Sequence, residues 1–195
     1  MNSTPDPERN KSVITGLIRL LRPLQWSKNS FVAAPLVFSG EFTNPGSVRE
    51  TVLAMFFFCV ASSAVYIVND LHDIEQDRLH PLTASRRPLA AGLISKAKAL
   101  ALLGALYLVA IAGFFRQPET MFIILAYLGL NLAYTFFLQH QPVIDIFTIA
   151  IGFVLRVYAG ATALLIPVSS WMFATTLCLS LYLAAVKRRQ RIYHE

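Results

Sequence analysis

The sequence predicts an all-α integral membrane protein, a multi-span bundle of about six transmembrane helices, and three observations lead there. Of its 195 residues, 55% are hydrophobic and only 14% are charged, whereas soluble domains average about 25% charged residues. Apolar runs near the length that crosses a bilayer recur along the chain. The cations between them fall almost entirely on one side. This composition excludes a disordered chain. A net charge of +6 could suggest nucleic-acid binding, but the apolar excess favours the membrane as the partner.

Hydropathy gives six candidate spans, because a transmembrane helix needs about 20 largely apolar residues. The first covers 25–38 and is extended on its N-terminal side by the amphipathic stretch 13–21. The other five cover 48–68, 97–115, 119–138, 143–165 and 169–186. The polar, proline-containing residues 1–12 predict a disordered cytoplasmic tail, which leaves 13–195 as the membrane domain.

The distribution of cations predicts the orientation, since cytoplasmic loops hold the excess of Lys and Arg. With six spans, 14 of the 17 cations lie on one side of the membrane. They are Arg9, Lys11, Arg19, Arg22, Lys28, Arg78, Arg86, Arg87, Lys96, Lys98, Lys187, Arg188, Arg189 and Arg191. Only Arg49 and Arg116 lie on the opposite side, and Arg156 is within the fifth span. We therefore expect a multi-pass protein of the plasma membrane with both termini and its active side in the cytoplasm.

The loop after the second span carries the most informative polar residues. If that span continues as a helix to Pro81, then Asn69, Asp70, Asp73 and Asp77 share one face. Three like charges at this spacing repel one another unless a cation lies among them. Carboxylate oxygens suit Mg²⁺, which is often bound together with substrate phosphates. The pattern predicts a Mg²⁺ site for a pyrophosphate-bearing substrate, and a solvated charge run at a helix end is the alternative.

Five further residues are candidates for contact with substrate. Arg87, beside a proline, can bind phosphate oxygens, and Lys28 lies at the cytoplasmic start of the first span. Positive-inside topology and snorkelling are the plain alternatives for these two cations. Asp145 and Arg156 share one stripe of the fifth span, and Tyr134 lies on a polar face of the fourth. Structural hydrogen bonds between helices are the alternative for these three.

The stretch 69–92, NDLHDIEQDRLHPLTASRRPLAAG, carries a resemblance to a known family. It is similar to the first aspartate-rich signature, NDxxDxxxD followed by RP-x-A-x-G, of the UbiA superfamily of intramembrane prenyltransferases. The resemblance implies an all-helical fold with a cytoplasm-facing cavity. It also implies that Asp70, Asp73 and Asp77 hold Mg²⁺ and form the catalytic centre.

Within that superfamily the chain most resembles the decaprenyl-phosphate phosphoribosyltransferase branch, which serves the synthesis of cell-wall arabinan precursors. The supporting stretches are 22–29, 142–161 and 187–189. Members usually have eight or nine spans, so we expect that the last helices are absent from this chain. The Gln139-His140 pair departs from the Lys-His that the branch commonly carries.

Three functions are compatible with these features. In the first, phosphoribosyl pyrophosphate loses pyrophosphate and a polyprenyl phosphate attacks the sugar. In the second, an allylic pyrophosphate ionises and an aromatic or haem-type acceptor attacks. Prenyl-transferring relatives typically carry a second aspartate motif after span six, where this chain has Lys187, Arg188 and Arg189. Cations there suit additional phosphates, which favours phosphoribosyl transfer. The third possibility is a transporter or a non-catalytic membrane scaffold, and the sequence gives no oligomeric state.

Overall fold

The protein is described by a computed structural model over residues 7–79, 84, 86–138 and 142–192. These ranges contain helices and no strand. The α-helices are α1 (Pro7–Leu21), α2 (Ala34–Phe38), α3 (Pro45–His72), α4 (Ile74–Leu79), α5 (Lys96–Phe114), α6 (Pro118–Ala133), α7 (Pro142–Ala163) and α8 (Ser170–Ile192). Two 3₁₀ helices (Pro23–Ala33 and Glu41–Thr43) and a π-helical turn (Tyr134–Leu138) complete the described elements. The predicted all-α class is confirmed.

Four helices in the described ranges are long and apolar enough to cross a membrane. They are Pro45–His72, Lys96–Phe114, Pro118–Phe137 and Ile144–Ala163, and they correspond to predicted spans two to five. The apolar part of α8, Ser170–Val186, is shorter and corresponds to span six. The helix starts follow local chemistry: the Asn44 side chain accepts from the Gly46 backbone N–H at 2.9 Å, and Pro45 occupies the first turn of α3.

The first predicted span is not one continuous α-helix. It forms the 3₁₀ helix Pro23–Ala33 followed by the five-residue α2. The buried amide of Asn29 explains this geometry, because it bonds across to other helices instead of facing lipid. At the N-terminus, α1 begins at Pro7, so residues 7–12 of the predicted disordered tail are helical. Proline is tolerated in the first turn of a helix, and residues 1–6 lie outside the described ranges.

Helix α3 lies at the centre of the bundle and contacts α1, α5, α6, α7 and the longer 3₁₀ helix. The main core lies around the middle of α3. It includes Phe58 and Val65 of α3, Tyr127 of α6 and residues of α7. A second, smaller core at the C-terminal end of α3 joins Leu20 of α1, Ile67 of α3 and Ile74 of α4. Helix α1 and the 3₁₀ helix that follows it therefore both pack against α3.

The N-terminal end of α3 carries a separate polar cluster. The Glu50 carboxylate accepts from Arg49 Nε at 3.2 Å, from Arg116 Nη2 at 2.8 Å and from Gln117 Nε2 at 2.8 Å. Arg49 and Arg116, the two cations that the sequence places opposite the 14 on the other side, thus meet at one site. Asp70 lies 20 residues after Glu50 on the same helix, or about 30 Å away at 1.5 Å per residue. This separation is what one membrane-spanning helix requires.

Gly160 should be needed for the contact between α7 and the longer 3₁₀ helix. A Cβ at Gly160 would overlap the backbone carbonyl of Val32, whereas a Cβ at Gly104 would meet nothing within 4 Å. We expect Gly160→Ala to reduce the free energy of unfolding by about 1–3 kcal/mol, because backbone atoms must shift to accept the methyl group. Thermal unfolding in detergent measures this, with Gly104→Ala as the control that keeps or raises stability. Equal behaviour of the two variants would contradict the close approach.

Candidate functional site

The C-terminal end of α3 is not a continuous helix through the three acids. The helix ends at His72, and Asp73 adopts φ −90° and ψ 6° before α4 resumes at Ile74. The condition of an unbroken helix, under which the sequence placed the acids on one face, is therefore not met at Asp73. The break has a packing reason: it lets Ile74, which is 3% exposed, bury its side chain in the smaller core with Leu20. Pro81, the predicted end point, lies outside the described residues.

Despite this break, the three predicted carboxylates come together around one guanidinium group. Arg87 Nη1 lies 2.5 Å from Asp77 Oδ2, 3.4 Å from Asp70 Oδ1 and 3.9 Å from Asp73 Oδ2. Asp70 and Asp77 are buried, so their charges cannot rely on bulk water. Arg87 supplies the positive charge that three adjacent carboxylates require. We call these four residues the acid cluster.

A second arginine reaches the acid cluster from the other end of the sequence. Arg22 Nη2 donates to Asp70 Oδ1 at 2.5 Å, and its guanidinium carbon lies 4.9 Å from the centre of the Tyr66 ring. The Arg22 backbone has φ 52° and ψ 59°, the left-handed region, which costs a residue with a side chain about 1–2 kcal/mol. The ion pair and the ring contact offset this strain. From the same polar segment, the sequence indicated Lys28 as a substrate contact. It did not indicate that Arg22 pairs with Asp70.

The acid cluster fits a divalent cation in its chemistry. Its oxygen donors are carboxylates, the ligands that Mg²⁺ prefers, and a positive charge already lies among them. Among the described residues, no three His, Cys, Asp or Glu side chains converge as they stand to hold a metal ion. The carboxylates are instead directed at Arg22 and Arg87. A cation entering the cluster would have to compete with these guanidinium groups.

Asn69 is turned away from the carboxylates. Its Oδ1 accepts a hydrogen bond from Thr135 Oγ1 at 2.5 Å, which joins the end of α3 to the π-helical turn after α6. Thr135 also donates to the Asn131 carbonyl at 2.9 Å. Turns of π-helix occur often at functional sites. Thr135 gave no signal in the sequence, because a single threonine in an apolar helix is common.

The other predicted polar residues meet in a small cavity deeper in the bundle. Lys28, Tyr134, Asp145 and Arg156 all line this cavity, whose volume is ≈120 Å³. Tyr134 donates from its hydroxyl to Asp145 Oδ1 at 2.8 Å. Residues from the 3₁₀ helix, the π-helical turn and α7 thus share one polar space, as expected for ionisable groups at membrane depth.

Arg156 is held on all sides by protein atoms. It is 5% exposed, and it donates to Asn29 Oδ1 at 2.9 Å and to the Gly152 carbonyl at 2.8 Å. Its guanidinium carbon lies 5.1 Å from the Phe58 ring centre and 5.0 Å from that of Tyr127. These contacts replace hydration of the charge and favour a role in positioning the helices. Contact between Arg156 and a substrate stays a prediction.

Two predicted residues cannot be placed in this way. Lys187 and Arg188 belong to the last turns of α8, but their side chains lie outside the described part of the structure. Arg189, next in the chain, is exposed. Substrate binding by Lys187 and Arg188 therefore stays a prediction.

Taken together, the fold and the acid cluster define an integral membrane protein with a buried, charge-compensated group of carboxylates at the end of its central helix. The chain belongs to the UbiA prenyltransferase family, which it matches over residues 30–192.

Curated relatives agree with this membership. The chain is 38% identical over 183 residues to a decaprenyl-phosphate phosphoribosyltransferase of Mycolicibacterium smegmatis, an alignment that covers 91% of this chain and 57% of that protein. It is 37% identical over 187 residues to the protein of the same name from Corynebacterium glutamicum, with 93% and 56% covered. Nodulation protein NoeC of Azorhizobium caulinodans is 31% identical over 170 residues, with 86% and 54% covered. The chain thus spans little more than half the length of these relatives.

Because Arg87 lies among the three carboxylates, its removal should strengthen the binding of a divalent cation. Arg87→Gln takes a competing positive charge away from three carboxylates, so the affinity of the acid cluster for a divalent cation should rise by about tenfold. Electron paramagnetic resonance of bound Mn²⁺ measures this without any substrate. The control is Arg78→Gln, since Arg78 pairs with the exposed Glu75, at 3.4 Å, and with no other carboxylate of the described residues. Unchanged or weaker Mn²⁺ binding in the Arg87 variant would contradict the assignment of the carboxylates to a cation site.

Proposed function

We propose that the protein is a Mg²⁺-dependent transferase that moves 5-phosphoribose from phosphoribosyl pyrophosphate to a polyprenyl phosphate. The observation that carries this proposal is the acid cluster, in which Arg87 draws three carboxylates together at the end of an apolar helix. The names of the relatives, decaprenyl-phosphate phosphoribosyltransferases, support the choice of donor and acceptor. Family membership alone fits prenyl transfer equally well.

In this proposal Asp70, Asp73 and Asp77 would hold Mg²⁺ together with the pyrophosphate group of the donor. The bound ion would neutralise negative charge on the departing pyrophosphate oxygens. Arg22 and Arg87 both approach the Oδ1 atom of Asp70, and this supports the proposal that their guanidinium groups bind pyrophosphate oxygens beside it.

The reaction breaks the bond between the sugar C1 and the pyrophosphate oxygen. A phosphate oxygen of the acceptor lipid then forms the new bond to C1, and pyrophosphate leaves. The side chains of the small polar cavity, Lys28, Tyr134, Asp145 and Arg156, are the proposed contacts for the remaining substrate groups. Asn69 orients the end of α3 through Thr135.

The proposed site faces the cytoplasm of a plasma-membrane protein. Arg22 and Arg87, which belong to the side richer in cations, meet at the acid cluster. Arg49 and Arg116 meet at the other end of α3. The positive-inside rule then favours the acid-cluster end as cytoplasmic. Water-soluble phosphoribosyl pyrophosphate would be available on that side.

Asp73→Asn should abolish metal-dependent transfer and leave folding almost unchanged. The substitution keeps the size of the side chain and removes one of three repelling carboxylates, so it should not destabilise the metal-free protein. The assay incubates membranes containing the protein with labelled phosphoribosyl pyrophosphate and decaprenyl phosphate, with and without Mg²⁺, and follows label in the lipid fraction. Thermal unfolding of the variant is the control for folding.

Two outcomes of this assay would overturn the proposal. Full Mg²⁺-dependent transfer by the Asp73 variant would remove the acid cluster from the reaction. Transfer of a prenyl group to an aromatic acceptor, with no use of phosphoribosyl pyrophosphate, would replace phosphoribosyl transfer with prenyl transfer as the function.

A further inference from the structure

A large cavity adjoins the acid cluster and has the opposite charge. Its volume is ≈1010 Å³, and the ionisable residues that line it are Arg19, Arg22, Arg86, Arg87 and Asp70. Among the described residues, four guanidinium groups therefore line the cavity with one carboxylate, for a net charge of +3. The arginines come from α1, from the turn that follows it and from the loop after α4, so the fold assembles this charge from two distant parts of the sequence.

Asp70, the one carboxylate that the described part of the chain contributes to the cavity, already has two arginine partners. Arg22 Nη2 and Arg87 Nη1 approach the same Oδ1 atom of Asp70, at 2.5 Å and 3.4 Å. Asp73 and Asp77 do not line the cavity, so its described residues do not include a set of carboxylates that could bind a metal ion. Arg19 and Arg86 are exposed, and within the described residues neither forms an ion pair with a carboxylate. An anion entering the cavity would meet an excess of guanidinium donors.

The rim of the cavity is apolar. Ile18 and Leu24, which also line it, are 53% and 90% exposed. A guanidinium-rich pocket suits a phosphate dianion, because the planar fork of arginine donates two parallel hydrogen bonds to phosphate oxygens. Exposed apolar side chains beside it are compatible with a hydrocarbon chain attached to that phosphate.

We propose that this cavity is a binding site for a phosphate monoester, distinct from the place of the pyrophosphate group. The proposal rests on the proposed function, in which two monoester phosphates need a site: the 5-phosphate of the sugar donor and the phosphate of the acceptor lipid. Both present the same dianionic group to the arginines. Arg87 lines the cavity and also approaches Asp73 and Asp77, so the monoester and the pyrophosphate would share contacts with one guanidinium group.

The test is a comparison of ligands on the purified protein in detergent, by isothermal titration calorimetry. Ribose 5-phosphate represents the sugar source and farnesyl phosphate the lipid source, and pyrophosphate with Mg²⁺ is the reference ligand. Arg19→Gln/Arg86→Gln should weaken at least one of the two monoesters about tenfold more than it weakens the reference, since each lost charge-assisted hydrogen bond lowers affinity strongly. The monoester that loses affinity identifies the source.

The matched control is Arg78→Gln/Lys98→Gln, which removes two exposed cations outside the cavity. This control should leave monoester binding within about twofold of the wild type, whereas a general effect of charge would lower it equally in both double variants. Single Arg19→Gln and Arg86→Gln variants replace the double variant if it does not fold.

The proposal is overturned if neither monoester binds the wild-type protein, or if both double variants weaken binding equally. Failure of the proposed function gives a different result. In that case pyrophosphate with Mg²⁺ does not bind the wild type, while the difference between the two double variants for a monoester persists.

Discussion

The structure depends on compensating three carboxylates at the end of an apolar helix. Asp70, Asp73 and Asp77 lie within eight residues of one another, and two of them are buried. Buried charges of one sign are strongly unfavourable without a partner. The chain meets this requirement with Arg87, 10 residues after Asp77, and with Arg22, 48 residues before Asp70. Charge compensation thus draws α1 and the loop after α4 onto the end of α3, where Leu20 and Ile74 form the smaller core.

Buried charge must also be compensated in the interior of the bundle. Arg156 is a charged residue at membrane depth, and such residues are retained when protein groups replace their hydration. Asn29 is among its partners and also donates to Ser62 Oγ at 3.2 Å, so one buried amide links the 3₁₀ helix with both α3 and α7. In the same region, α7 approaches the backbone of the 3₁₀ helix closely at Gly160, where a side chain would not fit without a shift. The departure of the first span from a regular α-helix follows from this demand for polar contacts.

The sequence predicted the parts of the structure that depend on local pattern. Apolar runs predicted the four long membrane helices. The spacing of the acids predicted that Asp70, Asp73 and Asp77 lie together, and they do so even though the helix breaks at Asp73. The pairing of Arg22 with Asp70 could not be predicted, because the two residues are far apart in sequence and meet only through tertiary packing. Thr135 was missed for the same reason, since only the folded chain brings it to Asn69.

The central proposal is that the acid cluster and Arg22 form a joint site for a divalent cation and pyrophosphate. Calorimetric titration of inorganic pyrophosphate into the wild-type protein, at several Mg²⁺ concentrations, tests that claim most directly. If the two ligands share the site, Mg²⁺ raises pyrophosphate affinity, and pyrophosphate raises Mg²⁺ affinity by the same factor once their association in solution is subtracted, as linkage requires. Pyrophosphate binding that is independent of Mg²⁺, or absent at every Mg²⁺ concentration, would contradict the claim.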